Sequence, residues 1–109
     1  MIGLSNTFML QYTGDIVDAH EAHRLGMVNK VTPPDELMET TMDLAQRLAN
    51  GPTYSMALIK RLIHRSLHTD LAESLRLAGP AQVIARSTED HREGVRAFVE
   101  KREPAYKGR

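Results

Sequence analysis

The sequence predicts a mainly α-helical fold of about five to six helices, with one short strand near residues 27–31. Apolar side chains recur at intervals of three and four residues over most of the chain, which is the spacing of one face of a helix. The 109 residues include only two Phe, three Tyr and no Trp, so the predicted core consists of Leu, Ile, Met and Ala. Gly and Pro separate the apolar stretches into individual helices.

The N-terminal third of the sequence predicts two short helices and the strand. The first helix covers residues 1–12 and ends at Gly14. Asp18 is suited to begin the second, because its carboxylate can accept a hydrogen bond from a free N–H of the first turn, and Gly26 is suited to end it. The strand at residues 27–31 has no convincing second strand in the sequence. Its backbone groups need partners, so we expect another segment or another chain to supply them.

Two longer helices occupy the middle of the chain. Pro34 fits the first turn of one of them, where a missing N–H has no consequence, and its apolar spacing continues to Asn50. Gly51-Pro52 separates it from the next helix, predicted for residues 52–68. That helix is apolar around more than half of its circumference, which is more than one neighbouring helix can cover.

The last third of the sequence predicts two more helices. Asp70 can cap the first of them, and Gly79-Pro80 predicts a kink or break within it, because proline removes a hydrogen bond and clashes with the preceding turn. Ser87 is expected to open the final helix, with Asp90 at its third position, and Pro104 to end it.

The bulk composition excludes several classes of protein. Lys and Arg total 14 and Asp and Glu total 14, so the charge pattern gives no reason to expect nucleic-acid or anionic-membrane binding. No apolar run has the length of a membrane span, and no signal peptide is recognisable. Cysteine is absent, which excludes disulfides and thiolate chemistry and fits a cytoplasmic protein.

Histidine pairs provide the only patterns that suggest a metal. His64 and His68 are four residues apart on a predicted helix, yet no third ligand lies at a motif spacing, and zinc requires four. His20 and His23 are one residue too close for the H-E-x-x-H motif. We therefore interpret these histidines as solvated side chains and expect no metal site.

The acidic residues show no catalytic pattern. No two carboxylates stand out in an apolar setting as a general acid and base. Asp18, Asp70 and Asp90 are interpreted as helix caps, and Arg96 with Glu100 as a surface pair at helical spacing. No catalytic residue is therefore assigned.

The final helix contains one candidate binding surface. Gly94, Phe98 and Lys101 are spaced by four and three residues, so they share a helical face. A glycine within a helix is unfavourable by about 1 kcal/mol relative to alanine, which indicates close approach by another group. Phe98 and Lys101 could hold an adenine ring and a phosphate, or they could be a core Phe and a solvated Lys. Spacing alone favours the second interpretation.

Two motifs connect the sequence to a known family. Residues 90–108 read DHREGVRAFVEKREPAYKG, which follows the pattern D-x-x-E-G-x-x-A-F-x-x-K-R-x-P-x-[FY]-x-G. Residues 13–33 follow T-G-x-x-x-x-A-x-E-A-x-x-x-G-L-V-x-x-V-x-P closely, with Met27 in place of the Leu. In this order the two motifs resemble the C-terminal portion of the enoyl-CoA hydratase/isomerase (crotonase) family.

This resemblance implies a fold, a division of the chain and an activity. Residues 1–50 would be the end of the family's spiral core, and residues 51–109 its C-terminal helical trimerisation region, commonly assembled as a dimer of trimers. The family hydrates or isomerises the double bond of acyl-CoA thioesters through an enolate, with coenzyme A as the substrate carrier and no further cofactor. Its catalytic positions lie upstream of the matching region, so this chain alone is expected to be inactive.

The resemblance also implies roles for Phe98 and Lys101, which match positions that contact the adenine and phosphate end of coenzyme A. The chain is therefore expected to serve self-association and nucleotide contact. The alternative is a free-standing helical module that oligomerises or binds a partner without any chemistry. The reading frame before Met1 would distinguish the two hypotheses.

Overall fold

The computed structural model describes residues 2–109, and within them it contains six α-helices and one short 3-10 helix but no β-strand. The α-helices in chain order are α1 (Gly3–Thr13), α2 (Ala19–Arg24), α3 (Leu37–Ala49), α4 (Thr53–Ser66), α5 (Leu71–Ser87) and α6 (Glu89–Glu100). The 3-10 helix, Pro34–Glu36, leads directly into α3. The predicted mainly α-helical fold is confirmed.

The helices belong to two compact units. The described residues up to Thr41 form the first unit and Met42–Arg109 form the second, so the division lies within α3. The boundary predicted between residues 50 and 51 concerns a different division, that between a spiral core and a trimerisation region, and it stays a prediction.

Both short helices of the first unit end as the sequence predicts. Helix α1 stops at Gly14, which adopts a left-handed conformation with φ 68°. After α2, Gly26 has φ 78°, and its N–H donates to the carbonyl of His23 while the N–H of Met27 donates to that of Ala22. These two bonds form a Schellman motif, which satisfies carbonyls that the helix leaves free and requires a residue that tolerates positive φ.

The strand predicted at residues 27–31 is wrong for this structure, in which residues 27–29 form bends and residues 30–31 have no regular secondary structure. A strand is stable only when a neighbouring strand accepts and donates its backbone hydrogen bonds. The part of the chain that the structure describes offers no second strand. The imidazole Nδ1 of His23 lies 3.2 Å from the carbonyl oxygen of Val28 and provides one local contact instead.

In the second unit, α5 packs against both α4 and α6. Among the described residues, the buried apolar side chains are Leu58 of α4, Ala81 of α5 and Ala97 of α6. Ile59 and Ile63 of α4 remain 55% and 58% exposed, beside the half-buried Met56. We call these three residues the α4 outer face, and it bears out the expectation that one neighbour cannot cover this helix.

Helix α5 runs without interruption through Gly79-Pro80, so the predicted break is wrong. The proline ring removes a single N–H, the one that would otherwise donate to the carbonyl of Arg76. Packing against both α4 and α6 holds the remaining turns in place. The helix also has a strong start, because Asp70 accepts a hydrogen bond of 2.8 Å from the N–H of Glu73.

The cap of α5 gives a first testable prediction. Asp70→Ala is expected to lower the free energy of unfolding by about 1 kcal/mol, because the N–H of Glu73 loses its acceptor at a helix terminus. Chemical denaturation monitored by circular dichroism measures the change. Asp70→Ser is the matched control, since serine keeps an acceptor oxygen and should retain most of the stability. Equal losses in the two variants would contradict the capping role.

Candidate functional site

Phe98 and Lys101 lie at the end of α6, where both side chains are exposed. Phe98 is 85% exposed, so it is not the core residue that the second interpretation assumed. Lys101 follows the helix in a left-handed conformation with φ 54°, unusual for a residue with a side chain. Its side chain therefore does not continue the helical face that Gly94 and Phe98 share. The role of Phe98 and Lys101 in coenzyme A contact stays a prediction.

Phe98 borders a groove in the second unit with a cavity volume of about 370 Å³. The groove is formed by α6, the start of α4, the end of α5 and the segment after α6. Its lining is mostly apolar, and the lining residues are Pro52, Ser55, Ala85, Asp90, His91, Gly94, Val95, Phe98 and Tyr106. Lys101 is not among them. Volumes of a few hundred Å³ are typical of small-molecule sites.

The glycine within α6 allows an aromatic side chain to approach the helix. A Cβ atom built on Gly94 would lie 3.2 Å from the hydroxyl oxygen of Tyr106, tighter than ordinary contact. The sequence indicated close approach by some group, and the structure identifies that group as Tyr106. Tyr106 belongs to residues 102–109, which fold back along α6 and which we call the C-terminal strap.

A buried carboxylate holds the end of the C-terminal strap. Asp90 is only 2% exposed, and its two oxygens accept hydrogen bonds from the N–H groups of Lys107 at 2.6 Å and Gly108 at 2.9 Å. Its own N–H donates to the carbonyl of Arg109 at 3.0 Å. Because charge-assisted bonds to both oxygens satisfy the carboxylate, its burial is tolerated.

The interpretation of Asp90 as a helix cap is therefore wrong. Thr88 caps α6 instead, since its hydroxyl accepts a hydrogen bond of 3.0 Å from the N–H of His91. The helix begins at Glu89, two residues after the Ser87 that the sequence suggested. Asp90 then lies in the first turn, where its side chain is free to bind the strap.

A second carboxylate holds the beginning of the strap. Glu93 accepts two hydrogen bonds from the guanidinium of Arg102, at 2.6 Å and 3.1 Å, and a third from the N–H of Ala105 at 3.0 Å. The guanidinium also donates to Glu100 at 2.6 Å, so the predicted Arg96–Glu100 pair is replaced by an Arg102–Glu100 pair. These bonds lower the pKa of Glu93 from 4.5 to about 2, the Arg102 contact being the main cause.

This shift predicts acid sensitivity of the strap. The folded-state pKa of Glu93 is depressed, so its stabilisation is present above pH 4.5 and is lost as the pH falls toward about 2. We expect the protection factor of the Ala105 amide, its exchange relative to an unprotected amide at the same pH, to fall across that window in the wild type. In Glu93→Gln this acid dependence should flatten. Glu103→Gln, an exposed acid on the same strap, is the control. An identical pH profile in wild type and Glu93→Gln would contradict the assignment.

The histidine patterns do not assemble a metal site. His64 lies on α4, whereas His68 lies beyond the helix end, so the two do not share a continuous helical face. Within residues 2–109 no group of three or more potential metal ligands is found.

None of the described helices is both long and apolar enough to span a membrane.

Comparisons with known proteins agree on one family. The sequence model of the enoyl-CoA hydratase/isomerase family matches residues 1–109. YngF of Bacillus subtilis, which carries an enoyl-CoA hydratase/isomerase name, is 41% identical over 99% of this chain and 42% of its own length. The 1,2-epoxyphenylacetyl-CoA isomerase of Escherichia coli is 35% identical over 98% of this chain and 41% of its own.

A solved structure supports the same relationship. The crystal structure of an enoyl-CoA hydratase from Bacillus anthracis matches with a TM-score of 0.92 and 34% identity, over 99% of this chain and 42% of that chain. The chain thus spans about two fifths of the length of the relatives that it matches.

Proposed function

The chain belongs to the enoyl-CoA hydratase/isomerase family, and from this premise we propose that it is the C-terminal helical part of an enzyme acting on acyl-CoA thioesters. The observation that carries the proposal is the match of residues 1–109 to the family together with a span of about 42% of a relative's length. The reaction would be hydration or double-bond isomerisation through an enolate. A hydratase and an isomerase are both among the proteins that the chain resembles, so the proposal stops at this reaction class.

In this proposal the chain supplies contacts to the nucleotide end of coenzyme A. Phe98 presents an open aromatic face beside a groove, which suits stacking against a purine. Lys101 is an exposed cation with no carboxylate partner among the ion pairs of the described residues, so it is free to meet a phosphate. No resident cofactor is proposed.

Calorimetry on the full-length protein tests this contact. Lys101→Ala is expected to weaken binding of coenzyme A about tenfold, because one charge-assisted contact is lost. Phe98→Ala should weaken binding through lost stacking, and kcat should change less than affinity in both variants. Lys60→Ala, which removes an exposed lysine from α4, is the matched control and should leave affinity unchanged.

Dephospho-coenzyme A identifies the group that Lys101 meets. If Lys101 contacts the 3′-phosphate, the wild type should bind dephospho-coenzyme A more weakly than coenzyme A, and Lys101→Ala should remove that difference. Equal affinity for both ligands, unchanged by the substitution, would show that Lys101 is a solvated surface lysine.

We also propose that the chain associates with further copies, in a trimer or a dimer of trimers. Support comes from the α4 outer face and from exposed apolar side chains on α3, including Met38, Met42 and Leu48. Large exposed apolar surfaces are unusual on a monomer.

The second candidate function is a free-standing helical module without chemistry. What favours it is that none of the acids in residues 2–109 is paired with another around an apolar cavity. The reading frame upstream of Met1 separates the two candidates. An in-frame spiral core supports the enzyme, whereas a start codon at Met1 with its own ribosome site supports the module.

A further inference from the structure

The carboxylate of Asp90 serves the C-terminal strap and not the start of α6. Thr88 already caps α6, so the helix does not need this carboxylate. Both of its oxygens are used by main-chain N–H groups that converge from adjacent residues, Lys107 and Gly108. Only a carboxylate can accept on both sides, because an asparagine would direct its NH₂ donor at one of the two N–H donors. The site therefore fixes the position of the strap backbone at two successive residues.

Close contact between Gly108 and Thr53 also fixes the position of the strap. Gly108 has φ 77°, and a Cβ built on it would lie 2.6 Å from the hydroxyl oxygen of Thr53 at the start of α4. The strap thus lies close to both α6 and α4 at the point where Asp90 holds it. A shift of the strap along α6 would separate the two N–H donors from the carboxylate.

Tyr106 lies immediately before the two residues that Asp90 holds. Its hydroxyl approaches Gly94, and together with Phe98 it lines the 370 Å³ groove. Gly94 and Phe98 are one helical turn apart, so the position of Tyr106 decides how much space remains beside the exposed ring of Phe98. The imidazole of His91 and the hydroxyl of Ser55 add polar groups to the same lining.

We propose that Asp90 is a positioning residue for this groove: it holds the strap so that Tyr106 and Phe98 together receive a planar heteroaromatic ring. This inference rests on the proposed function, under which the ring is the adenine of coenzyme A. Asp90 also lines the groove, but both of its oxygens are used by N–H groups of the strap, so it acts through the strap backbone. Tyr106 becomes an additional specificity-determining residue, on a segment distinct from the one that carries Phe98 and Lys101.

The test compares Asp90→Asn and Gly94→Ala with the wild type in the full-length protein, using adenosine 3′,5′-bisphosphate as the probe. Asp90→Asn is expected to bind the probe about tenfold more weakly, since one strap N–H loses its acceptor and Tyr106 moves. Gly94→Ala displaces Tyr106 without touching Asp90, and it should weaken binding in the same direction. Glu103→Gln, which neutralises an exposed acid of the strap that takes no part in these contacts, is the control and should bind normally.

A kinetic measurement separates positioning from general damage. Asp90→Asn should raise KM for crotonyl-CoA about tenfold with kcat unchanged, while KM for crotonyl-pantetheine, which lacks the nucleotide, stays at its wild-type value. Equal losses on both thioesters would indicate a merely structural role and would overturn the proposal. If Asp90→Asn fails to fold, Gly94→Ala decides the question by the same comparison.

The experiment distinguishes failure of the proposed nucleotide contact from failure of the positioning role of Asp90. If the wild type does not bind the bisphosphate, the proposed nucleotide contact is wrong and the positioning role is wrong with it. If the wild type binds and both Asp90→Asn and Gly94→Ala bind equally well, only the positioning role is overturned.

Discussion

A solution of the 109-residue chain alone is expected to leave crotonyl-CoA unhydrated. General acid–base catalysis needs a positioned carboxyl group whose pKa is raised toward the working pH. The acids with defined partners are helix caps, ion-pair partners and strap ligands: Asp18, Asp70, Glu21, Glu73, Glu89, Asp90, Glu93 and Glu100. Within residues 2–109, Asp90 is the one buried acid, and both of its oxygens are occupied.

The assay follows the ultraviolet absorbance of the enone thioester after addition of pure protein. Carboxylates whose pKa is lowered, as ion pairing lowers that of Glu21, Glu73 and Glu93, cannot donate a proton near neutral pH. A turnover of about 1 per second or more, which is within the ordinary range of enzymes, would contradict the prediction. Glu21→Gln and Glu93→Gln would then show whether either acid is responsible.

Micromolar solutions of the chain are expected to contain assemblies larger than 12.2 kDa. The second unit buries only Leu58, Ala81 and Ala97 as apolar side chains, which is a small core for a chain of this length. Another copy that covers the α4 outer face would remove Ile59 and Ile63 from water, at about 25 cal/mol for each Å² buried. Light scattering coupled to size exclusion measures the assembly.

A matched pair of substitutions tests which surface is responsible. Ile63→Glu places a charge on the α4 outer face and should shift the population toward the monomer. Gln82→Glu adds the same charge to an exposed polar position on α5 and should not. A wild-type chain that elutes as a 12.2 kDa monomer and binds no apolar dye would contradict self-association.

Local chemistry made most helix ends predictable. Asp18, Gly26 and Asp70 act through contacts within a few residues, so the sequence alone indicates their roles. The strand at residues 27–31 was not predictable in the same way, because a strand exists only with a partner. Pro80 is the opposite case. Its local effect predicts a break in α5, but packing against two neighbouring helices outweighs that effect.

The candidate site was predictable only in part. Gly94 indicated close approach, and the resemblance pointed to Phe98, but neither revealed that residues 102–109 fold back to complete the groove. The contacts between Asp90 and the strap join residues 17 and 18 positions apart, beyond any helical periodicity. The sequence held one signal of this contact. Two acids, Asp90 and Glu93, lie three residues apart and precede Pro104, near which the chain reverses.

The distance in sequence between Asp90 and the strap residues that it binds has a consequence for folding kinetics. Contacts between α4 and α5 join elements that are adjacent in sequence, so they can form early, whereas the strap can dock only after α6 exists to receive it. Interactions that form after the transition state affect the unfolding rate rather than the folding rate. The carboxylate of Asp90 is therefore expected to slow unfolding of the groove and to have little effect on its folding rate.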